Sequence, residues 1–223
     1  MLQLSEAEKQ RRFVARLLEW WQKEKIAYPW RAHHDPYKVL IAELLLRKTT
    51  AKQVAKIYDK FISIFPNPKA LAQAEESIIE RILEPLGMHK VRAKLFKKLG
   101  ATIAYKLGGG IPRNKEELLN LPGVKEYVAN AVLCFAYGED EPLVDTNVIR
   151  VLQRVLGFTS SKARPKDDPA LWGFVKKLIP KGRAREFNLA LIDFAHKMCT
   201  SKNPRCSSCI LQDLCAYHAK ISQ

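Results

Sequence analysis

Residues 118–136 read LLNLPGVKEYVANAVLCFA, and the fold follows from how that run divides. Leu118 to Leu121 close one helix, Pro122-Gly123 cannot continue it, and from Glu126 apolar residues recur at the three- and four-residue spacing of a second helix. The segment is a helix, a tight turn and a helix. A glycine at such a turn lets backbone N–H groups and the next helix's N-terminus approach a phosphate, a grip that ignores base sequence. Taken alone, the same run is equally an ordinary interhelical turn.

The same periodicity marks 13–20, 37–46, 51–64, 91–104 and 185–196, and no alternating strand pattern is present. Proline and glycine fall between these stretches, so the expected fold is all-α with about ten short helices. A chain of 223 residues suits one large domain or two small helical lobes. GEDEP at 138–142 interrupts two apolar runs and marks a lobe boundary.

Charge narrows the function. Thirty-eight Lys+Arg against 23 Asp+Glu give +15 at pH 7, an excess that repels itself unless a polyanion uses it. Nucleic acid is the first candidate and an anionic membrane surface the second. No apolar run reaches the ~18 to 20 residues that span a bilayer, and the charged N-terminus lacks a signal-peptide core. A soluble, cytoplasmic, nucleoid-associated protein is expected.

Four of the five cysteines, Cys199, Cys206, Cys209 and Cys215, lie within one 17-residue window spaced C-x6-C-x2-C-x5-C. In a reducing compartment, thiols gathered this closely serve a metal. Zinc knuckles supply two tight pairs, and here only Cys206 and Cys209 make one, so the spacing favours a [4Fe-4S] cubane, with zinc as the alternative. Cys134, in AVLCFAYG, reads as a small core residue. Between hairpin and cysteines stands Val144-Asp145-Thr146-Asn147-Val148-Ile149-Arg150, an acid at the start of a helix. Alone, Asp145 reads as an N-cap.

LPGV plus helix, then VDTNVIRV, then the cysteine window, in that order, resembles the iron-sulfur branch of the helix-hairpin-helix DNA glycosylases, the endonuclease III superfamily. The resemblance runs from about Tyr28 to Cys215. It implies two helical lobes with a DNA-binding cleft: 28–137 a six-helix barrel lobe containing the hairpin, and 1–27 with 138–223 a second lobe holding the cluster loop 199–215. It also implies a catalytic Asp145, with Tyr127 facing an extruded nucleotide. Upstream, Tyr28-Pro29-Trp30-Arg31 and Asp35-Pro36-Tyr37 through Glu43 to Arg47-Lys48-Thr49-Thr50 look like the mismatch-specific thymine and adenine glycosylases. In the adenine enzymes the residue matching Glu43 protonates the base, the slot of Tyr127 is serine, and a further C-terminal domain reads oxidised guanine. In the thymine enzymes that slot is tyrosine, which makes them the nearer match. One departure stands out: the family's hairpin reads LPGVG, whereas Lys125 occupies the second glycine's place here, followed by Glu126.

Several residues carry both a bland and a functional reading. Glu43 is either a surface turn of an apolar helix or a buried acid with a task. Arg47 and Lys48 are solvated, or enter the gap left by a flipped base and touch the opposite guanine. Met88 is core, or matches the place where relatives insert an apolar wedge. Leu121, Gly123 and Lys125 form the hairpin's DNA contact. Lys90, Arg92, Lys94, Lys97 and Lys98 make a basic run, part of which is expected on phosphate. Trp20 and Trp21 read as packing residues, and His33 and His34 carry no role.

The chemistry follows from the substrate. A base inside a duplex must be extruded before it is cut, and unpairing costs least at a mismatch. Cleaving an N-glycosidic bond builds positive charge on the sugar, which a carboxylate stabilises. Relatives that also cut the strand use a lysine where Tyr127 stands, because an amine forms a Schiff base and a phenol does not. The expectation is a monomeric, monofunctional base-excision-repair glycosylase that releases thymine or uracil mispaired with guanine from double-stranded DNA. The alternatives are an adenine glycosylase acting opposite guanine or oxidised guanine, and a non-catalytic DNA-binding iron-sulfur protein.

Overall fold

The structure, a computed structural model, describes residues 4–221, whose only regular secondary structure is helical, with no strand among them. Two compact units emerge, Met1–Ile26 with Gly138–Gln223, and Ala27–Tyr137. The first unit opens with α1 (Glu6–Glu24), capped by Ser5.

The second unit holds α2 (Pro36–Leu45), α3 (Ala51–Ala55), α4 (Tyr58–Ile64), α5 (Pro68–Gln73), α6 (Glu76–Leu83), α7 (His89–Ala101), α8 (Lys115–Leu119) and α9 (Glu126–Tyr137). Helices outnumber the expected ten because long apolar runs break. The run 51–64 divides at Ile57, whose φ of −120° leaves the helical region. The run 91–104 lies in α7 and one π turn, Thr102–Lys106. The core of this unit is aromatic and aliphatic: Phe61 sits 5.0 Å from Phe65 and 5.2 Å from Phe96, ring centre to ring centre, and α2 buries Leu40, Ile41, Leu44 and Leu45 completely or nearly so. Cys134 is part of this interior, as its apolar surroundings predict.

The first unit resumes with α10 (Thr146–Leu156), α11 (Pro169–Leu178), α12 (Ala184–Lys197) and α13 (Ala216–Ile221). Its core joins Phe13 and Leu17 of α1, Val148 and Leu152 of α10, and Phe187, Leu191 and Phe194 of α12 to Cys199, Leu211 and Leu214 of the cysteine loop. The loop is therefore part of the core. Trp20 meets Phe194 edge-on at 5.4 Å and the Trp21 indole donates to Asp193 at 2.9 Å, both packing roles. Arg16 of α1 donates to the Ile210 carbonyl at 3.1 Å and pairs with Asp213, holding that carboxyl below the usual carboxylate range.

Gly100 sets how closely α7 approaches α5. A Cβ there would lie 2.8 Å from the Ala72 nitrogen and 2.9 Å from the Pro68 carbonyl oxygen, both backbone atoms unable to swing aside. Gly100→Ala should therefore separate two helices and cost about 1–3 kcal/mol, read as a lower denaturation midpoint with an unchanged slope.

Candidate functional site

Asp145 is the N-cap of α10, and its Oδ1 accepts from the backbone N–H groups of Asn147 at 2.9 Å and Val148 at 2.8 Å. Its Oδ2 accepts from the Asn147 amide at 2.9 Å. The cap reading of the sequence is thus correct as local structure. It does not exhaust the residue. A carboxylate offers about four acceptor positions, so three donors leave one on Oδ2 open, on a half-buried side chain fixed in direction. The ties run further along the helix. The Asn147 amide oxygen accepts from Arg150 at 2.9 Å, and Arg150 donates to the Cys199 carbonyl at 2.8 Å and the Ala195 carbonyl at 3.0 Å.

The four cysteines meet in the first unit. Cys199, Cys206, Cys209 and Cys215 line a single pocket with Arg154, Phe194 and Tyr217. Burial pushes the Cys209 thiol up to about 11 and raises that of Cys215 as well, so neither ionises readily without a metal. Donors are already aimed at the sulfurs: the backbone N–H of Leu211 at Cys209 and of His218 at Cys215, each at 3.4 Å. Arg154 places a guanidinium nitrogen 3.7 Å from the Cys199 sulfur and its guanidinium carbon 4.9 Å from the centre of the Tyr217 ring, and donates to the Thr200 and Ser201 carbonyls at 2.7 and 3.0 Å.

In the second unit the expected site residues gather around the end of α2 and the hairpin. Glu43 is 7% exposed inside α2, which removes the surface-turn alternative. Arg47 and Lys48 are exposed, but Arg47 is not simply solvated: its guanidinium donates to the Gly123 carbonyl at 2.7 Å. Lys48 has φ +55° and Met88 φ +53°, the only non-glycine residues in the left-handed region among those described. Met88 is 58% exposed at the start of α7, so it is not core. Gly123 has φ +80°, a conformation that favours glycine, and a Cβ there would meet the end of the Leu95 side chain at 2.9 Å, which would have to turn aside. The Leu121 side chain is 4% exposed and serves to anchor the turn. Lys125 is exposed, Glu126 pairs with Lys115, and Tyr127 is half-buried in the first turn of α9. The pairing with Lys115 offsets the carboxylate that the sequence places beside the hairpin.

Residues 41–177 match the HhH-GPD superfamily base excision DNA repair protein family, and residues 199–215 match the iron-sulfur binding domain of endonuclease III. The chain belongs to the HhH-GPD superfamily. It is 45% identical over 209 residues to a thymine-DNA glycosylase of Aeropyrum pernix, spanning 91% of this chain and 92% of the relative. It is equally 45% identical over 214 residues to a thymine/uracil-DNA glycosylase of Pyrobaculum aerophilum, spanning 94% and 93%. Among solved structures, that of a thermostable thymine-DNA glycosylase superposes with a TM-score of 0.91 at 37% identity, covering 96% of this chain and 98% of the other.

As an HhH-GPD protein with the matched iron-sulfur domain, the chain carries a [4Fe-4S] cluster, and the donor set fits it. Four thiols line one pocket, the number that a cubane takes. Cys199, Cys206, Cys209 and Cys215 would hold the cluster, on a loop that already contributes Cys199, Leu211 and Leu214 to the core of the first unit.

Sequence reasoning passed over Asn147, Arg150 and Arg154, although their spacing carried a signal: 147, 150 and 154 fall on one face of a helix that an N-cap begins. It also grouped Arg92 and Lys97 with the basic run expected in part on phosphate. Arg92 is 8% exposed and Lys97 donates to the Ala74 carbonyl at 2.8 Å, at the end of α5. Only Lys90, Lys94 and Lys98 of that run are exposed, spaced as one stripe along α7.

Two outcomes follow from this geometry. The purified protein should be brown and contain about four iron and four sulfide per chain by chemical analysis, and stoichiometric zinc would overturn the assignment. Asn147→Ala should leave the fold and cluster absorbance intact but free Oδ2 of Asp145, lowering the single-turnover rate by about ten- to hundredfold.

Proposed function

We propose that this HhH-GPD protein hydrolyses the N-glycosidic bond of thymine or uracil mispaired with guanine in double-stranded DNA, acting as a monomer and leaving the strand uncut. The observation that carries the reading is the Asp145 carboxylate, aimed by two backbone donors and one amide with an acceptor position still open on Oδ2. Its relatives named for thymine and uracil, matched over nine-tenths of both chains, support the choice of base.

In the proposed reaction the C1′–N1 bond breaks with its electron pair leaving on the base, and the sugar gains oxocarbenium character. Asp145 stabilises that charge and then takes a proton from the water that adds to C1′. Glu43, buried in α2, gives a proton to the departing base, and the proton that Asp145 takes from water balances it. Tyr127 faces the extruded pyrimidine through its ring and hydroxyl. Lys48 and Met88 probe the opened duplex, while Gly123 and Lys125 hold backbone phosphate, with Leu121 fixing the turn and Arg47 tied to it. Because Tyr127 offers no amine, the abasic strand is released intact.

On oligonucleotides with T:G, U:G, A:G and A opposite oxidised guanine, base release should be confined to the first two. Asp145→Asn should bind the mismatch as before but lose at least about a hundredfold in rate. Borohydride should trap nothing with the unmodified protein and should trap an adduct with Tyr127→Lys. A trapped adduct in the unmodified protein, lost in Lys125→Ala, would make it a lyase with a relocated nucleophile.

A further inference from the structure

The second unit buries a cation that the proposed chemistry does not use. Arg92 lies in the first turn of α7, 8% exposed, and no acidic side chain pairs with it among the described residues. One guanidinium nitrogen donates to the Leu44 and Leu45 carbonyls, each at 3.4 Å, and another to the Arg47 carbonyl. Its Nε is buried without a hydrogen-bond partner in the described structure. Burial, together with the nearby charge of Arg47, pulls the guanidinium below its ordinary value.

Such a group is costly, and what offsets it is specific. The last carbonyls of a helix have no partner within the helix and carry the negative end of its dipole. Arg92 closes the end of α2 where those carbonyls emerge. The turn that follows is clamped on every side: the Thr49 hydroxyl donates to the Leu45 carbonyl, and Thr50 and Gln53 make a reciprocal capping box at the start of α3. Between those clamps sits Lys48 in the left-handed region. Four residues before Arg92, at the N-cap of the same α7, sits Met88, the other left-handed side chain. Arg47, whose carbonyl Arg92 holds, reaches with its own guanidinium to the Gly123 carbonyl in the hairpin. One chain of contacts thus runs from the α7 start to the α2 end to the hairpin turn. Left-handed side chains persist only where their surroundings over-determine them.

We propose that Arg92 is a positioning residue: through the carbonyls of α2 and then through Arg47, it fixes Met88, Lys48 and the hairpin turn in one rigid arrangement, so that phosphate held at the hairpin places both probing side chains at the opened base pair. The inference rests on the DNA-repair reading above and adds to it a mechanical link between phosphate grip and base extrusion. Arg92 touches neither the base nor the sugar in this account.

The test compares Arg92→Lys, Arg92→Met, Arg47→Met and the Arg92→Lys/Arg47→Met double variant in the cluster-loaded protein, with thermal unfolding and cluster absorbance as folding checks. Two readouts report positioning: the preference for a duplex carrying a tetrahydrofuran abasic analogue over a matched duplex, and the fluorescence rise of 2-aminopurine placed beside a T:G pair as the duplex opens. Arg92→Lys should bind matched DNA within about twofold of the unmodified protein while losing about tenfold in abasic preference and most of the fluorescence rise. The double variant should lose little beyond Arg92→Lys alone, since both changes break one network.

Retention of both readouts by a folded Arg92→Lys or Arg92→Met overturns the proposal, as does an equal loss of matched and abasic binding. If neither Arg92 variant folds, Arg47→Met decides, because its side chain is exposed: unchanged readouts there overturn the link to the hairpin. The unmodified protein separates this inference from the function it rests on. Abasic preference and duplex opening without release of any base would remove the glycosylase reading and leave the brace standing, whereas base release with no such preference would do the reverse.

Discussion

Two hydrogen bonds from the start of α10 to Asp145 Oδ1 fix more than a helix end. A cap sets where a helix begins and so the direction in which each later side chain leaves it. With Asp145 as cap, Asn147 returns to Oδ2, Arg150 reaches the Cys199 carbonyl, and Arg154, one turn on, reaches the Cys199 sulfur and the carbonyls beyond. The carboxylate and the cysteine loop are therefore held by one short helix in one phase. A cluster held by the four cysteines would tie together a loop that contributes Cys199, Leu211 and Leu214 to the core on which α10 rests.

The second unit solves a similar problem with charge in place of a cluster. Its helix α2 is apolar along most of its length and ends beside the exposed pair Arg47 and Lys48. An apolar helix end buried without donors would leave several carbonyls unsatisfied, at roughly 1–3 kcal/mol each. Arg92 donates to three of these carbonyls from one planar group, which a lysine, with a single tetrahedral head, does less well; Leu44 also accepts from the Arg47 N–H and Leu45 from the Thr49 hydroxyl. Buried cation and helix end are each unfavourable alone and compatible together.

Much of this was legible in the chain. The hairpin, the cap and the four cysteines announce themselves through residue types with few alternative uses: glycine where φ is positive, an acid before a helix, thiols in a tight window. Helix existence followed from periodicity, and helix breaks did not, because Ile57 interrupts 51–64 with an ordinary apolar residue that the pattern accepts. Arg92 was misplaced for a related reason. Basic neighbours at 90, 94, 97 and 98 suggest a wet face, yet 92 lies four residues before the buried Phe96 and so in the apolar phase. The direction of Arg47 toward Gly123 depends on elements 76 residues apart in sequence, which no local pattern encodes.

The hairpin's departure from LPGVG has a consequence for the unfolded chain. Lys125 is not among the residues with positive φ, so its place in the turn asks nothing that only glycine can give. A glycine there would roam over both halves of backbone space before folding, and a side chain confines it. Replacing glycine at a compatible position lowers the entropy lost on folding, a gain of about 0.4–1 kcal/mol that appears in no native contact. The same substitution adds an exposed positive charge to the turn. A hairpin built this way begins folding from a narrower ensemble.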